Sequence, residues 1–172
     1  MKQHIVYLSF TSNFKVGITR KTNIPYRWID QGALEAVALF EVSERFHAGL
    51  IEKHLSNFIN DKTHWRNMLK TNDHRFIDMN AQIENLFDQS QIEKFISENE
   101  YLQQSPPKRL HPTKYRFYYP CNQVPTTTNS IKLDDDHSFI SKLEGIKGQY
   151  LLFEHGTLNI RKYGGHQITL NY

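Results

Sequence analysis

One cysteine in 172 residues, Cys121, leaves no pair to close a disulfide framework and too few thiolates for a cysteine-rich zinc site in the chain. The expected setting is therefore a reducing one, the cytoplasm. No apolar run approaches the roughly 20 residues that span a bilayer. The first residues, MKQHIVYLSF, enter a strand pattern directly and carry no leader pattern. Neither sign of charge dominates, since 21 Lys/Arg face 18 Asp/Glu for a net charge of +3, and that excess alone demands no polyanionic partner. Internal repeats and low-complexity tracts are absent. What remains, 38% hydrophobic and 23% charged, is the composition of a globular chain long enough to bury a core.

Charge is distributed more tellingly than its sum. Residues 1–75 hold 11 Lys/Arg against 7 Asp/Glu, residues 105–172 hold 9 against 5, and residues 76–104 hold 6 acids and one lysine. Two basic segments around an acidic one suit nucleic-acid binding through the outer parts, as they also suit an unevenly charged solvated surface.

Hydrophobic periodicity predicts an α+β fold. HIVYLSF and FKVGIT alternate with period two and read as a hairpin. Val6, Leu8 and Phe10 share a face with Phe14, Val16 and Ile18, which leaves Tyr7, Lys15, Gly17 and Thr19 on an opposite, polar surface. Pro25 suits the start of a short helix to Gln31, ended by Gly32. LEAVALFEV is a third strand, giving a small three-stranded sheet flanked by helices over residues 1–78. Ser43 is an expected N-cap for a helix running to about Asn60, with a core stripe of Leu50, Ile51, Leu55, Phe58 and Ile59. DKTHWRNML predicts another short helix, capped by Asp61 and bringing Trp65 to the core. Residues 79–103 form an acidic helical segment, broken near Ser90 by a Ser90/Glu93 capping box. The prolines of QQSPPKRLHPT forbid regular structure through residues 103–113. Residues 114–172 then make a small antiparallel β subdomain. In it KYRFYYP is a strand, NQVPTTTNS a loop and KLDDDHS an exposed turn, before three strands joined at His155-Gly156 and Gly164-Gly165.

The chemistry-bearing residues concentrate between His4 and Glu52. At 100° per residue Glu52 falls beside Ala48, Leu55 and Ile59, where a carboxylate costs free energy unless it is paired or holds a cation. Arg27 lies on the short helix, and its structural alternative is an ion pair with Asp30 or Glu35. A phenol or lysine, an arginine and a carboxylate around one surface are what metal-assisted phosphodiester cleavage needs. Tyr26, Trp28 and the aromatic run at 115–119 serve core packing or stacking on bases. Arg161 and Lys162 extend a nucleic-acid surface or keep the β part soluble.

These residues resemble the GIY-YIG nuclease superfamily in its shorter phage-type branch, whose second motif often reads K-[IV]-G. Ile5-Val6-Tyr7 stands at the first motif, with only the tyrosine kept. Lys15-Val16-Gly17 stands at the second, with lysine in place of tyrosine. Arg27, ten residues beyond Gly17, and Glu52 in IEKHL complete the ordered set over about residues 4–70. A narrower resemblance covers nearly the whole chain: KVGITRKTNIPYRWIDQGA, DKTHWRNMLK and GIKGQYLLFEHGTLNIRKYGGH look like the bacterial family catalogued as domain of unknown function 2797. That family implies no activity. Its members usually carry a cysteine-rich, zinc-binding segment ahead of the HIVYL strand, and these residues contain none.

The superfamily resemblance implies an endonuclease site in which Glu52 holds one Mg²⁺ or Mn²⁺, without zinc. Arg27 would neutralise the non-bridging phosphate oxygens, and Tyr7 or Lys15 would position or deprotonate the attacking water. Gly17 would permit close approach of backbone or substrate, Arg20 and Lys21 would hold flanking phosphates, and His47 or His54 would assist from the Glu52 helix. The expected partner is nucleic acid, DNA ahead of RNA. A non-catalytic nucleic-acid-binding module is the competing reading, and a protein-interaction or small-ligand domain stands behind both.

Overall fold

Strict alternation builds the first hairpin. β1 (His4–Phe10) and β2 (Phe14–Arg20) pair antiparallel in a register that sets Tyr7 opposite Gly17 and Ser9 opposite Lys15. β3 (Glu35–Val42) pairs antiparallel with the other edge of β1, with a bulge between Val6 and Tyr7. The computed structural model describes residues 2–59, 64–75, 77–121, 128–133, 138–169 and 171. The expected loop and turn of NQVPTTTNS and KLDDDHS fall largely outside these residues, as does the expected cap Asp61.

Both faces of this sheet are covered. On one, Val6, Leu8, Val16, Val37 and Leu39 meet Ala48, Ile51 and Leu55 of α2 (Arg45–Ser56). Ile83, Leu86, Ile92 and Leu102 join the same cluster, from α4 (Met79–Ser90), α5 (Ile92–Glu98) and α6 (Glu100–Gln104). Each fully buried aliphatic side chain there contributes about 1.5–3 kcal/mol. The other face carries a second buried layer of Ile5, Tyr7, Trp28, Ala33 and Ala36, with Trp28 supplied by α1 (Tyr26–Asp30). The polar surface expected around Tyr7 is therefore corrected, because Trp28 closes over the tyrosine ring in a T-shaped contact at 5.7 Å.

Ends of elements differ from expectation where side chains find better partners. Ser43 caps nothing: its hydroxyl lies 2.9 Å from that of Ser105, and α2 starts after Glu44 without a side-chain cap. Phe58 stays 38% exposed, since α2 ends at Ser56. The break after α4 occurs, with Gln91 at φ +48°, but Ser90 turns back onto Phe87 O and forms no capping box. α3 (Trp65–Lys70) is capped by His64 Nδ1, and its Trp65 packs in a satellite cluster with Tyr150 and Leu152, away from the main core. Gly32 ends α1 at φ +72°, the conformation expected of it.

The proline-rich stretch is not wholly irregular. Lys108–Arg109 forms β4, and beyond the last proline Lys114–Arg116 forms β5; both pair antiparallel with the outer edge of β3. Edge strands tolerate nearby prolines because only one side of their backbone must bond. A second sheet follows, antiparallel and three-stranded, of β6 (Leu143–Lys147), β7 (Tyr150–Phe153) and β8 (Gly156–Asn159). Its third strand is β6, not a strand beyond Gly164-Gly165. Ile160–Tyr163 instead winds into a 3-10 turn held by Asn159. The fold is α+β with antiparallel sheets, as the pattern predicts. Among the described residues no helix is long and apolar enough to cross a membrane.

Three contacts fasten the second sheet to the first unit. Lys147, fully buried, donates to Thr71 O and to Asn72 Oδ1, the latter at 2.9 Å. Tyr119, next to the Pro120 and Cys121 backbone that bonds to β6, donates its hydroxyl to Ala33 O at 2.8 Å. Gly148, at φ +57°, lies so close to the end of α1 that a Cβ would stand 2.8 Å from Asp30 O.

Candidate functional site

Tyr7 is the pivot of the site. Glycine opposite it on β2 leaves room for the phenol to lie across the strand: a Cβ at position 17 would stand 2.6 Å from Tyr7 Oη. Gly17 thus accommodates the tyrosine, not the substrate approach expected of it. Tyr7 is 1% exposed, and its burial raises its pKa above the ordinary 10.0, only partly offset by the charge of Arg27 and by hydrogen bonds from Gln31 and Arg27. At neutral pH it is a neutral phenol that orients neighbours.

Gln31 connects that phenol to Arg27. One helical turn apart on α1, the two side chains share a face. With the amide oriented to satisfy both neighbours, its oxygen accepts from Arg27 Nε and Nη2 at 3.1 and 3.0 Å, and the amide lies 3.0 to 3.1 Å from Tyr7 Oη. The expected alternative of an Arg27–Glu35 bridge does not form. Glu35, fully buried, pairs with Arg116 Nε at 2.8 Å and has Lys114 and His74 at 3.8 Å.

Glu52 completes the set from the other side of the hairpin. Its carboxylate is half-buried on α2 and close enough to act electrostatically on the Tyr7 hydroxyl. Among the described residues it makes no hydrogen bond or ion pair, so the expected alternative of a salt bridge at the stripe's edge is not realised. No group of three or more His, Cys, Asp or Glu that could hold a metal occurs among the described residues. An all-protein zinc cage needs such a group, whereas magnesium is commonly held by one or two carboxylates with water and phosphate oxygens.

Lys15 and Arg27 open onto a groove of about 510 Å³ between the first unit and the second sheet. Thr11, Asp30 and Gln31 belong to its first wall, Trp65 and Met68 come from α3, and Gln149, Tyr150 and Arg161 form the facing wall. Tyr7 and Glu52 lie behind it rather than in its lining. Arg20 and Lys21 are not brought there. Arg20 sits opposite His4 at the far end of the hairpin, and Lys21 pairs with Glu41 at 2.8 Å. His54 stacks on Phe95 at 3.9 Å and donates to Ser90 O at 2.8 Å, and His47 lies against Ser43, so both serve packing.

Sequence reasoning missed Gln31, Thr11 and the wall from β7. Gln31 had a signal, its four-residue spacing from Arg27. The β7 residues had none, because their approach to α1 depends on how two separate sheets dock. Of the aromatics considered for stacking, Trp28 is fully buried and is excluded, while Tyr26 is 70% exposed.

A family model described as "Protein of unknown function (DUF2797)" matches residues 1–168. No curated protein and no solved structure matches the chain.

Proposed function

The chain belongs to the DUF2797 family, and from that premise and the geometry around Tyr7 we propose a metal-dependent endonuclease of GIY-YIG type that hydrolyses phosphodiester bonds in nucleic acid. One observation carries the reading: Gln31 holds Arg27 beside the hydroxyl of a single buried tyrosine, and Glu52, half-buried with no bonded partner among the described residues, lies near enough to act on the same hydroxyl. A carboxylate in that position is stabilised by a cation, and its donor chemistry fits Mg²⁺ or Mn²⁺. Such an ion, when bound, polarises the phosphate and stabilises the leaving oxygen.

The remaining work falls to the chain's own groups. Arg27, with its guanidinium held by Gln31, presents its remaining donors to non-bridging oxygens. Lys15 adds a second positive charge on the same wall and positions the attacking water. Tyr7 is a positioning residue: buried and neutral, it fixes Gln31, and through it Arg27, and takes no proton from water.

A second reading has its own support. Glu52 does not line the groove, which suits a module that binds nucleic acid without turning it over. Cleavage of single-stranded, duplex and branched DNA and RNA with Mg²⁺ or Mn²⁺ separates the two. The expected result is metal-dependent product that disappears in a folded Glu52→Gln. Products unchanged in Glu52→Gln refute the assignment, and salt-sensitive binding without any product selects the second reading.

A further inference from the structure

We propose that the groove between the two sheets receives an unpaired nucleotide of a single-stranded nucleic acid, with the C-terminal sheet supplying half of the site. Phosphate lies between Lys15 and Arg27 on one wall and Arg161 on the other, and the base lies against the Trp65–Tyr150 stack. The inference deepens the phosphodiester reading and rests on it only for the claim that Lys15 and Arg27 meet phosphate.

Size is the first argument. A cavity of about 510 Å³ falls within the roughly 300–1,000 Å³ of small-ligand sites. It holds a nucleotide or two and excludes a duplex, whose bases remain stacked inside unless one is extruded. Charge is the second. Among the described lining residues Lys15, Arg27 and Arg161 outnumber the carboxylate of Asp30, and they arrive from β2, α1 and the 3-10 turn after β8. Cations placed on opposing walls by separate elements match a phosphodiester that runs between them.

The third argument is the aromatic wall. Trp65 and Tyr150 stack at 5.4 Å with planes 4° apart, and the exposed Arg66 guanidinium lies 4.4 Å over the Trp65 ring. A planar cation on an indole already makes the packing a nucleobase would make, and an exposed arginine yields that place at small cost. On the wall that carries Lys15 and Arg27 stands an orphan polar group. Thr11 is 2% exposed, belongs to the groove lining, and its hydroxyl finds no hydrogen-bond partner among the described residues. A buried hydroxyl left unpaired is costly, and one that lines a groove is open to a partner from a ligand or from water.

The test is binding in EDTA, where cleavage is suppressed. Fluorescence anisotropy compares a labelled thymidine dodecamer with a duplex of equal length, and tryptophan emission follows the unlabelled dodecamer. Trp28 is fully buried, so a ligand-dependent change reports on Trp65. The expected result is binding of the single strand about tenfold tighter than the duplex, with quenched emission. Arg161→Glu, an exposed change that leaves the fold intact, is expected to weaken it by at least about tenfold. Trp65→Phe is expected to abolish the emission change while a thermal melt shows it folded. Equal or tighter duplex binding overturns the inference, as does single-strand binding that leaves emission and Arg161→Glu affinity unchanged. Failure here with Glu52-dependent cleavage intact leaves the nuclease reading standing. Success here with no cleavage of any substrate refutes the nuclease and keeps the groove.

Discussion

Replacing Gly17 with alanine tests the packing on which the whole site depends. The new Cβ would stand 2.6 Å from Tyr7 Oη, 2.7 Å from Cζ and 3.1 Å from Cε2, against ordinary contacts of 3.4–4 Å. The ring must therefore move by most of an ångström. It has little freedom to do so, being 1% exposed and abutting Trp28, which is itself packed against Tyr115 at 5.1 Å. Overpacking of this kind costs about 1–3 kcal/mol, and loss of the Tyr7–Gln31 hydrogen bond adds about 1 kcal/mol. Removing a glycine from a strand returns about 0.5–1 kcal/mol. The net expectation is about 2 kcal/mol of destabilisation, or roughly 4–8 °C in Tm for a chain of this length. Urea denaturation of wild type, Gly17→Ala, Tyr7→Ala and the double variant measures it. In the Tyr7→Ala background the obstacle is gone, so Gly17→Ala should be neutral or stabilising there. Equal destabilisation in both backgrounds, or less than about 0.5 kcal/mol in wild type, would refute the reasoning.

Other variants probe the attachments of the second sheet and the buried charges. Burial lowers the pKa of Lys147 from 10.5 to about 8, opposed only in part by its electrostatic interaction with Cys121. Between these values the unfolded chain still binds a proton that the folded chain has released, so stability rises with pH across about 8 to 10.5 and is flat with respect to this group below. At about 1.4 kcal/mol per pH unit the rise totals roughly 3.5 kcal/mol, and the stability difference between wild type and Lys147→Met, followed by urea titration, should trace it. Arg116→Ala leaves the fully buried Glu35 carboxylate without its 2.8 Å partner, whereas Glu35→Gln leaves only a half-exposed guanidinium. The first should therefore cost about 2–3 kcal/mol and the second about 1 kcal/mol, an order that equal chemical-denaturation midpoints would contradict. Gly148→Val places a Cβ 2.8 Å from Asp30 O at φ +57°. It should lower Tm and weaken dodecamer binding together, since the groove wall moves with the sheet; unchanged affinity in a folded variant would uncouple the two.

Local pattern was enough for the elements and not for what lies over them. Alternation from His4 to Arg20, the Gly32 stop and the Ile51–Leu55 stripe predicted β1, β2, α1 and α2 because each depends on contacts within a few residues. Periodicity also assigned Tyr7, Lys15, Gly17 and Thr19 to one face correctly. It could not show that Trp28 and Ala36 bury that face around Tyr7, since the covering residues come from elsewhere in the chain. Glu52 was legible as a carboxylate out of place on an apolar stripe, and the structure supplies no salt bridge to explain it among the described residues. The sequence set Arg20 and Lys21 beside the same surface as Lys15, as holders of flanking phosphates. Strand register separates them, because Lys21 lies at the end of the sheet where Glu41 neutralises it. The same blindness hid the groove, whose facing wall depends on Gly148 docking against α1.

Glycine at position 17 also explains why an ordered set of weak motifs can be read at all. A residue with a Cβ there would push the phenol off the strand, and the chain from Tyr7 through Gln31 to Arg27 would come apart. A tyrosine on β1 therefore requires a glycine directly opposite on β2, and β2 must reach two residues further back to set Lys15 on the same face. The arginine must follow within one short helix, because only α1 crosses that face before β3 returns to the sheet. Glu52 is tied less tightly, reaching Tyr7 through its field and not through a bond. Gln31→Ala isolates the bonded part of this chain. It removes the amide that bridges phenol and guanidinium while leaving every charge in place, so on the proposed nuclease reading the metal requirement set by Glu52 should persist. Cleavage should fall by about tenfold or more through lost orientation of Arg27, and Arg27→Ala added to Gln31→Ala should then lower it far less than Arg27→Ala alone. Additive losses in the double variant would mean that Arg27 acts without the orientation Gln31 supplies.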